Sequence, residues 1–190
     1  MTYSHTPTDP FRRDDIYAQL ASILRFEDGT PVFNPRFALK IEQGKGFSVS
    51  KRFTGIAADG TVDVYFENPS NSGKTVRMVV IFIKTFAKAW VDIYRANSVT
   101  SAGTQMSPVN LNFGSSNSSV VVIYQGGTYN LGPNVHETVI PGGSHPRAIG
   151  DAAEVGETVV IPPGHNFVIR TTNKDSQAQD ISVRFLWWEE

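Results

Sequence analysis

The chain has 190 residues, of which 40% are hydrophobic and 18% charged, so it can bury a core and suits one domain, or one domain with an extension. Its net charge of -1 argues against a general nucleic-acid-binding protein, which carries an excess of Lys and Arg. The absence of cysteine excludes disulfides, thiolate catalysis and cysteine-ligated zinc. No apolar run approaches the roughly 20 residues that span a bilayer. Because Met1–Asp15 lacks the apolar core of a secretory signal, we expect a protein made in a cytosol, without membrane contact.

Residues 1–55 predict an N-terminal arm, one short amphipathic helix and an irregular segment. Two prolines near the N-terminus favour an extended arm, and apolar residues at helical spacing then predict a helix over Pro10–Arg25. Arm and helix either pack on the chain's own sheet or reach a neighbouring subunit. Thr30–Lys51 reads as irregular, with short strands near Phe37–Glu42 and Phe47–Phe53.

Residues 56–190 predict one all-β domain. Roughly eight to ten short strands are separated by turn residues, and helical periods are absent. This pattern predicts an antiparallel sandwich or closed barrel, and the strand count and long loops favour a jelly roll over an immunoglobulin-type sandwich. Asn97–Gln105 reads as loop. The strand candidates are Thr61–Phe66, Lys74–Thr85, Ala89–Ala96, Ser119–Tyr124, Thr128–Leu131, Glu137–Ile140, Pro146–Ile149, the two arms of Gly156–Arg170, and Asp180–Trp188, whereas Pro108–Phe113 belongs to a loop.

Gly156–Arg170 reads as a hairpin with a Pro-Pro-Gly turn, and it is also the best candidate for an enzyme site. Gly156, Pro162 and Gly164 have the spacing of the second motif of the cupin family, a jelly-roll family with metal-dependent members. That resemblance implies a histidine ligand where this chain has Phe167, and the family's first histidine motif is absent. A distributed metal site remains as an alternative, built from His136, His145 and His165 with Glu137 or Glu154.

No other pattern points to catalysis. The chain has no Gly-x-Ser-x-Gly nucleophile elbow, and its glycine pairs lack the spacing and the lysine of a phosphate loop. We therefore predict no enzyme activity, no catalytic or metal-binding residue and no cofactor. Glu189 and Glu190 are expected to be solvated.

Aromatic residues are the remaining candidates for binding. They could form a sugar-stacking platform or simply pack structurally. The adjacent Trp187 and Trp188 must face opposite sides of a strand, so we expect one in the core and the other against a subunit or helix surface. The candidates are Trp90, Tyr94, Tyr124, Tyr129, Trp187 and Trp188.

Four segments taken together resemble the β-sandwich structural proteins of tailed phages and related viruses. They are FENPSNSGKTVRMVVIFIKT, PVNLNFGSS, GETVVIPPGHNFVIRTTN and ISVRFLWWEE, within about Thr61–Glu190. The resemblance implies a non-enzymatic virion protein, such as a capsid decoration (cement) or tail protein, that is assembled in the host cytoplasm. Its implied partners are further copies of itself, commonly as a homotrimer, and other virion proteins such as the major capsid protein.

The residues expected to make assembly contacts are Phe11, Arg12, Arg13, Trp187 and Trp188. The competing hypothesis is a carbohydrate- or receptor-binding module of a tail or fibre, with a glycan as partner.

Overall fold

A computed structural model describes residues 35–142 and 150–190, and for Pro35 and residues 150–158 it describes the backbone alone. The chain divides into two compact units, Met1–Leu39 and Lys40–Glu190. The helix predicted over Pro10–Arg25 lies outside the described residues. No helix in the described ranges is long and apolar enough to cross a membrane.

The described part contains one helix and thirteen strands. The helix is α1, Pro35–Glu42. The strands are β1 Gly46–Ile56, β2 Thr61–Asn68, β3 Val76–Thr85, β4 Ala89–Arg95, β5 Ser98–Ser101, β6 Thr104–Met106, β7 Val109–Asn110, β8 Val122–Gln125, β9 Thr128–Asn130, β10 Asn134–Ile140, β11 Gly150–Ile161, β12 His165–Asn173 and β13 Gln179–Glu189.

The strands form two large antiparallel sheets and one small one. The five-stranded sheet has the order β11-β3-β13-β1-β7, and the six-stranded sheet has the order β10-β4-β12-β2-β8-β6. Strands β5 and β9 pair separately. Eight strands make up the frame: β1, β13, β3 and β11 in one sheet, and β2, β12, β4 and β10 in the other. Two interlocked four-stranded sheets of this order make a jelly roll, so the predicted all-β jelly-roll-like sandwich is confirmed.

The core lies between the two large sheets and is aromatic at its centre. The Phe66 and Phe167 rings stack with centroids 4.9 Å apart, and Phe185 meets both rings edge-on at 5.7 and 5.9 Å. Trp187 meets Phe66 edge-on at 5.3 Å. Alternation along each strand sends these side chains inward and their neighbours outward, as the sequence pattern predicted.

A long connection, residues 96–133, joins β4 to β10 and carries the five short strands. Strands β8 and β6 extend the six-stranded sheet beyond β2, and β7 extends the five-stranded sheet beyond β1. The connection therefore covers the β1/β2 edge of the sandwich, whereas the strands at the other edge, β10 and β11, have no further strand beside them in the described ranges. The interpretation of Asn97–Gln105 as loop was wrong, because β5 and β6 lie there.

Two other sequence interpretations need correction. Phe37–Glu42 is not a strand but part of α1. The prediction failed because the apolar residues of so short a run fit both the helical and the strand period. Gly156–Arg170 is indeed strand, turn and strand, but not a hairpin. Strand β11 pairs with β3, while β12 pairs with β2 and β4, so the turn carries the chain from one sheet to the other. The candidate strand Pro146–Ile149 lies outside the described residues.

Candidate assembly surface

Two of the five residues expected to make assembly contacts lie in the described part of the chain, and neither is exposed. Trp187 and Trp188 are both fully buried, the first in the core between the sheets and the second on the opposite face of β13. Phe11, Arg12 and Arg13 lie outside the described residues. The assembly role of these five residues stays a prediction, and other surfaces of the domain become the candidates.

In the cupin-like segment, the position where the family has a histidine ligand is occupied by Phe167, which packs in the core. Phe167 is buried in the aromatic core. His165 is exposed, and its ring nitrogen Nδ1 lies 3.1 Å from the Pro163 carbonyl oxygen. The described residues contain no group of three His, Cys, Asp or Glu side chains that could hold a metal ion. His145 and the side chain of Glu154 lie outside the description.

Most of the aromatic residues considered for sugar binding pack on the outer face of the six-stranded sheet. The Tyr65 and Tyr129 rings stack at 5.2 Å, and Tyr124 lies 6.4 Å from Tyr65. Burial raises the pKa of Tyr65 far above its ordinary 10.0, and the hydrogen bond that its hydroxyl donates to Glu67 at 3.0 Å raises the pKa further. The pKa of Tyr129 is also raised, again first by burial. These tyrosines fix the long connection onto the sheet.

Trp90 differs, because 44% of its surface is exposed on the same sheet face. The Lys174 ammonium lies 4.4 Å from the centre of its ring, in a cation–π contact. Lys174 is also paired with Asp59 at 2.6 Å. Trp90 is therefore the aromatic residue of the predicted platform that a ligand could reach most directly.

A charged pair lies beside the tyrosines. Arg170 on β12 makes a two-pronged contact with Asp63 on β2, with Nε donating at 2.9 Å and the second guanidinium nitrogen at 2.7 Å. This hydrogen bonding raises the pKa of Arg170, against the opposing effect of burial. A forked arginine–carboxylate pair fixes the register of the two strands.

Glu189 was expected to be solvated, and this was wrong. Its carboxylate is fully buried. It accepts hydrogen bonds from Ser119 Oγ at 2.6 Å, Val120 N at 3.1 Å and Trp187 Nε1 at 3.2 Å, and it pairs with Lys74 Nζ at 3.0 Å. Ser119 and Val120 belong to the long connection, so this carboxylate ties the connection to the end of β13. Burial is tolerated because several donors and a cation share the charge.

The β7–β8 turn presents the most exposed large apolar side chain among the described residues. We call Asn110–Asn117 the Phe113 loop; 90% of the Phe113 surface is exposed. Asparagines hold the loop from within. Asn110 Oδ1 accepts from Asn112 N at 2.9 Å, Asn112 Oδ1 accepts from Gly114 N at 3.0 Å, and Asn110 Nδ2 donates to the Asn117 carbonyl at 3.0 Å. Such Asx turns order a loop without a core of its own.

The same asparagines anchor the loop to the end of α1. Asn110 and Asn117 both donate to the Gly44 carbonyl, at 2.9 and 3.2 Å, and Asn112 donates to the Glu42 carbonyl at 3.0 Å. Gly44 has φ +67° and forms the left-handed cap that ends the helix. A Cβ at Gly44 would collide with the Ser115 side chain, so the loop and the cap fit closely.

A cleft opens at the other lateral edge, between β10 and β11. We call it the open-edge cleft; its volume is about 450 Å³. Its floor is apolar and buried, with Ile81, Ile93, Ile161 and Phe167. Val135 and Val160 line it while remaining 54% and 48% exposed. Among the described residues, its polar lining consists of Arg95, His136, His165 and Asn166.

The sequence predicts a loop at PVNLNFGSS, but hydropathy does not show that Phe113 is exposed on it. The cleft depends on which strands end the two sheets, and strand periodicity does not report pairing partners.

Known proteins show little similarity to this chain. No family model matches the chain, and no curated protein matches it. Among solved structures, a chain from the structure of black queen cell virus aligns with 95% of this chain and 76% of that chain, at 12% identity and a TM-score of 0.17. This is a faint likeness to a chain of a virus, and a TM-score so low carries no argument about fold or function.

Proposed function

We propose that this chain is a non-enzymatic structural protein of a virus particle, most specifically a capsid decoration or other capsid-associated protein, that assembles through contacts between subunits. The observation that carries the proposal is the strand order of the two sheets, which is that of a jelly roll. Capsid proteins, lectins and cupins are the main users of this architecture. Fold alone does not select among them, so the surface must be considered as well.

The surface supports an assembly role over a catalytic one. The cupin alternative requires a ligand at the position where Phe167 packs in the core. The most exposed apolar side chains instead lie on turns and at sheet edges, where a neighbouring molecule could cover them. The resemblance of Thr61–Glu190 to virion β-sandwich proteins points in the same direction. Under this proposal the partners are further copies of the chain, as a homotrimer, and a major capsid protein, and the location is the virion.

The test is co-sedimentation with particles. Particles from cells that produce the chain naturally are banded on a density gradient, and each fraction is quantified by mass spectrometry. We expect the chain in the particle band at a fixed ratio to the major shell protein. Recovery only at the top of the gradient, with particles present below, would refute the proposal.

The arm can be tested in the same gradient. Deletion of Met1–Arg25, which contains Phe11, Arg12 and Arg13, is expected to leave a folded β domain that no longer enters particles. Unchanged incorporation of the truncated chain would refute a role for the arm while leaving the virion assignment intact.

A second candidate function is carbohydrate or receptor binding, favoured by the exposure of Trp90. A glycan array probed with the purified chain would detect it, and Trp90→Ala should abolish the signal. Phe86→Ala is the matched control, because Phe86 is also an exposed aromatic residue, with 71% of its surface exposed. Equal loss in both variants, or no binding by the wild type, counts against this function.

A further inference from the structure

The Phe113 loop and the open-edge cleft lie at the same level of the sandwich, on opposite edges. One row of paired residues crosses the whole five-stranded sheet. It runs from Asn110 on β7 through Phe47 on β1, Trp187 on β13 and Met78 on β3 to Val159 on β11. This row therefore begins at the base of the loop and ends at the wall of the cleft. A sideways displacement of one copy, without a shift along the strands, brings the loop of one copy to the cleft of the next.

The two features also match in size and character. Apolar cavities of about 150 Å³ hold a benzene ring, so a cleft of about 450 Å³ has room for the ring of Phe113. The buried floor, including Ile93 and Phe167, offers aliphatic and aromatic contacts to that ring. The asparagine network holds the loop before any contact forms, so little conformational entropy is lost on association.

Exposed residues of opposite charge lie near the two features. Glu42, whose main-chain carbonyl accepts from Asn112, is exposed. Arg95 is exposed where it lines the cleft. Attraction between Glu42 of one copy and Arg95 of another would favour this orientation of the two copies.

We infer that Phe113 of one copy inserts into the open-edge cleft of a second copy, in a heterologous contact that repeats from subunit to subunit. This inference rests on the proposed function, since it supplies the subunit contact that a virion structural protein needs. Because donor and acceptor are different surfaces, each copy uses both, and the contact generates a ring if its rotation closes. Phe113 is the anchor of the contact, and the loop around it excludes water.

The test is the oligomeric state of the full chain, measured by sedimentation velocity and light scattering over a range of concentrations. We expect the wild type to form oligomers. Phe113→Ser, which removes the anchor, and Val160→Arg, which places a charge at the cleft, should each weaken self-association by about tenfold or more. Phe86→Ser is the matched control. Phe86 is also an exposed Phe, but it directly follows the C-terminal end of β3, far along the strand from Met78, so this variant should assemble like the wild type.

Mixing the two variants separates this contact from any other. Val160→Arg retains an intact loop and Phe113→Ser retains an intact cleft, so the mixture should form a one-to-one dimer that does not grow further. A mixture that remains monomeric overturns the inference, as does a wild type that is monomeric at every concentration or a Phe113→Ser variant that assembles normally. Circular dichroism melts of each variant verify folding.

An engineered disulfide gives a second measurement that does not depend on removing side chains. The chain has no native cysteine, and Leu111 and Val160 lie at opposite edges of one sheet, four strand spacings or about 19 Å apart, at the two ends of the row that runs through Gly46, Trp188 and Arg77. Such a distance prevents a bond within one chain. Oxidation of the Leu111→Cys/Val160→Cys protein should give a ladder of linked chains, and single-cysteine variants should stop at dimers. Absence of a ladder overturns the contact, whereas failure of the chain to band with particles overturns only the virion assignment.

Discussion

Replacing Glu189 with alanine should destabilise the domain strongly, although the residue occupies a stretch of sequence that reads as a solvated chain end. The truncation leaves Val120 N and Trp187 Nε1 in a buried space without their acceptor. Each buried unsatisfied donor costs about 1–3 kcal/mol, so the loss of an acceptor for both costs about 2–6 kcal/mol. Lys74 contributes little to this cost, because 41% of its side chain is exposed and water can solvate it.

We therefore expect Glu189→Ala to lower the free energy of unfolding by about 2–6 kcal/mol. Glu189→Gln keeps the shape and one acceptor oxygen but loses the charge that faces Lys74, so we expect a loss of about 1–2 kcal/mol. Urea unfolding followed by tryptophan fluorescence measures both, and the slope of the transition should stay constant if only stability changes.

The neighbouring glutamate provides the control. Glu190 pairs with Arg77 and Lys40 near the surface, and its side chain is 28% exposed. Exposed pairs contribute about 0–1 kcal/mol, so Glu190→Ala should remain close to the wild type. If Glu189→Ala lies within about 0.5 kcal/mol of Glu190→Ala, the reasoning about the buried carboxylate is wrong.

Three further predictions concern the core, the helix cap and the tyrosines. Phe167→Ala should cost about 3–5 kcal/mol in urea unfolding, whereas His165→Ala should stay within about 0.5 kcal/mol; equal effects would contradict the packing role. Gly44→Ala should lower the melting temperature and increase proteolysis within the Phe113 loop, because it strains φ and collides with Ser115; unchanged proteolysis would contradict the coupling. The raised pKa of Tyr65 keeps it neutral in the folded state while the unfolded chain ionises near pH 10.0, so stability should fall as pH rises through 10.0. Tyr65→Phe should reduce that alkaline loss, and an identical pH profile would contradict the assignment.

The sequence predicted the strands well where one face of a strand meets the core. Alternation such as that of β2 and the β-branched run of β3 depend only on local burial, and these strands lie close to the predicted ranges. Burial periodicity reports which side of a strand faces inward, but it contains no information about the strand beside it. For this reason Gly156–Arg170 was predicted as a hairpin, although its two arms belong to different sheets.

The candidate surface could not be predicted for a related reason. Glu189 is buried because Lys74, Ser119 and Val120 converge on it from distant parts of the chain. Phe113 is exposed because the asparagines around it bond to the end of α1 rather than to a neighbouring strand. Hydropathy alone predicts the opposite placement for both residues, and only the non-local hydrogen bonds reverse it.

The position of β13 in the middle of the five-stranded sheet has a consequence for biosynthesis. Its partners β1 and β3 are translated long before it, and they cannot be joined through it until β13 leaves the ribosome. Until then the edges of β1 and β3 that pair with β13 stay open. Sheets held by such distant pairings fold slowly and expose aggregation-prone intermediates. The domain should therefore depend on chaperones during synthesis, and its soluble yield should fall when translation outpaces their supply.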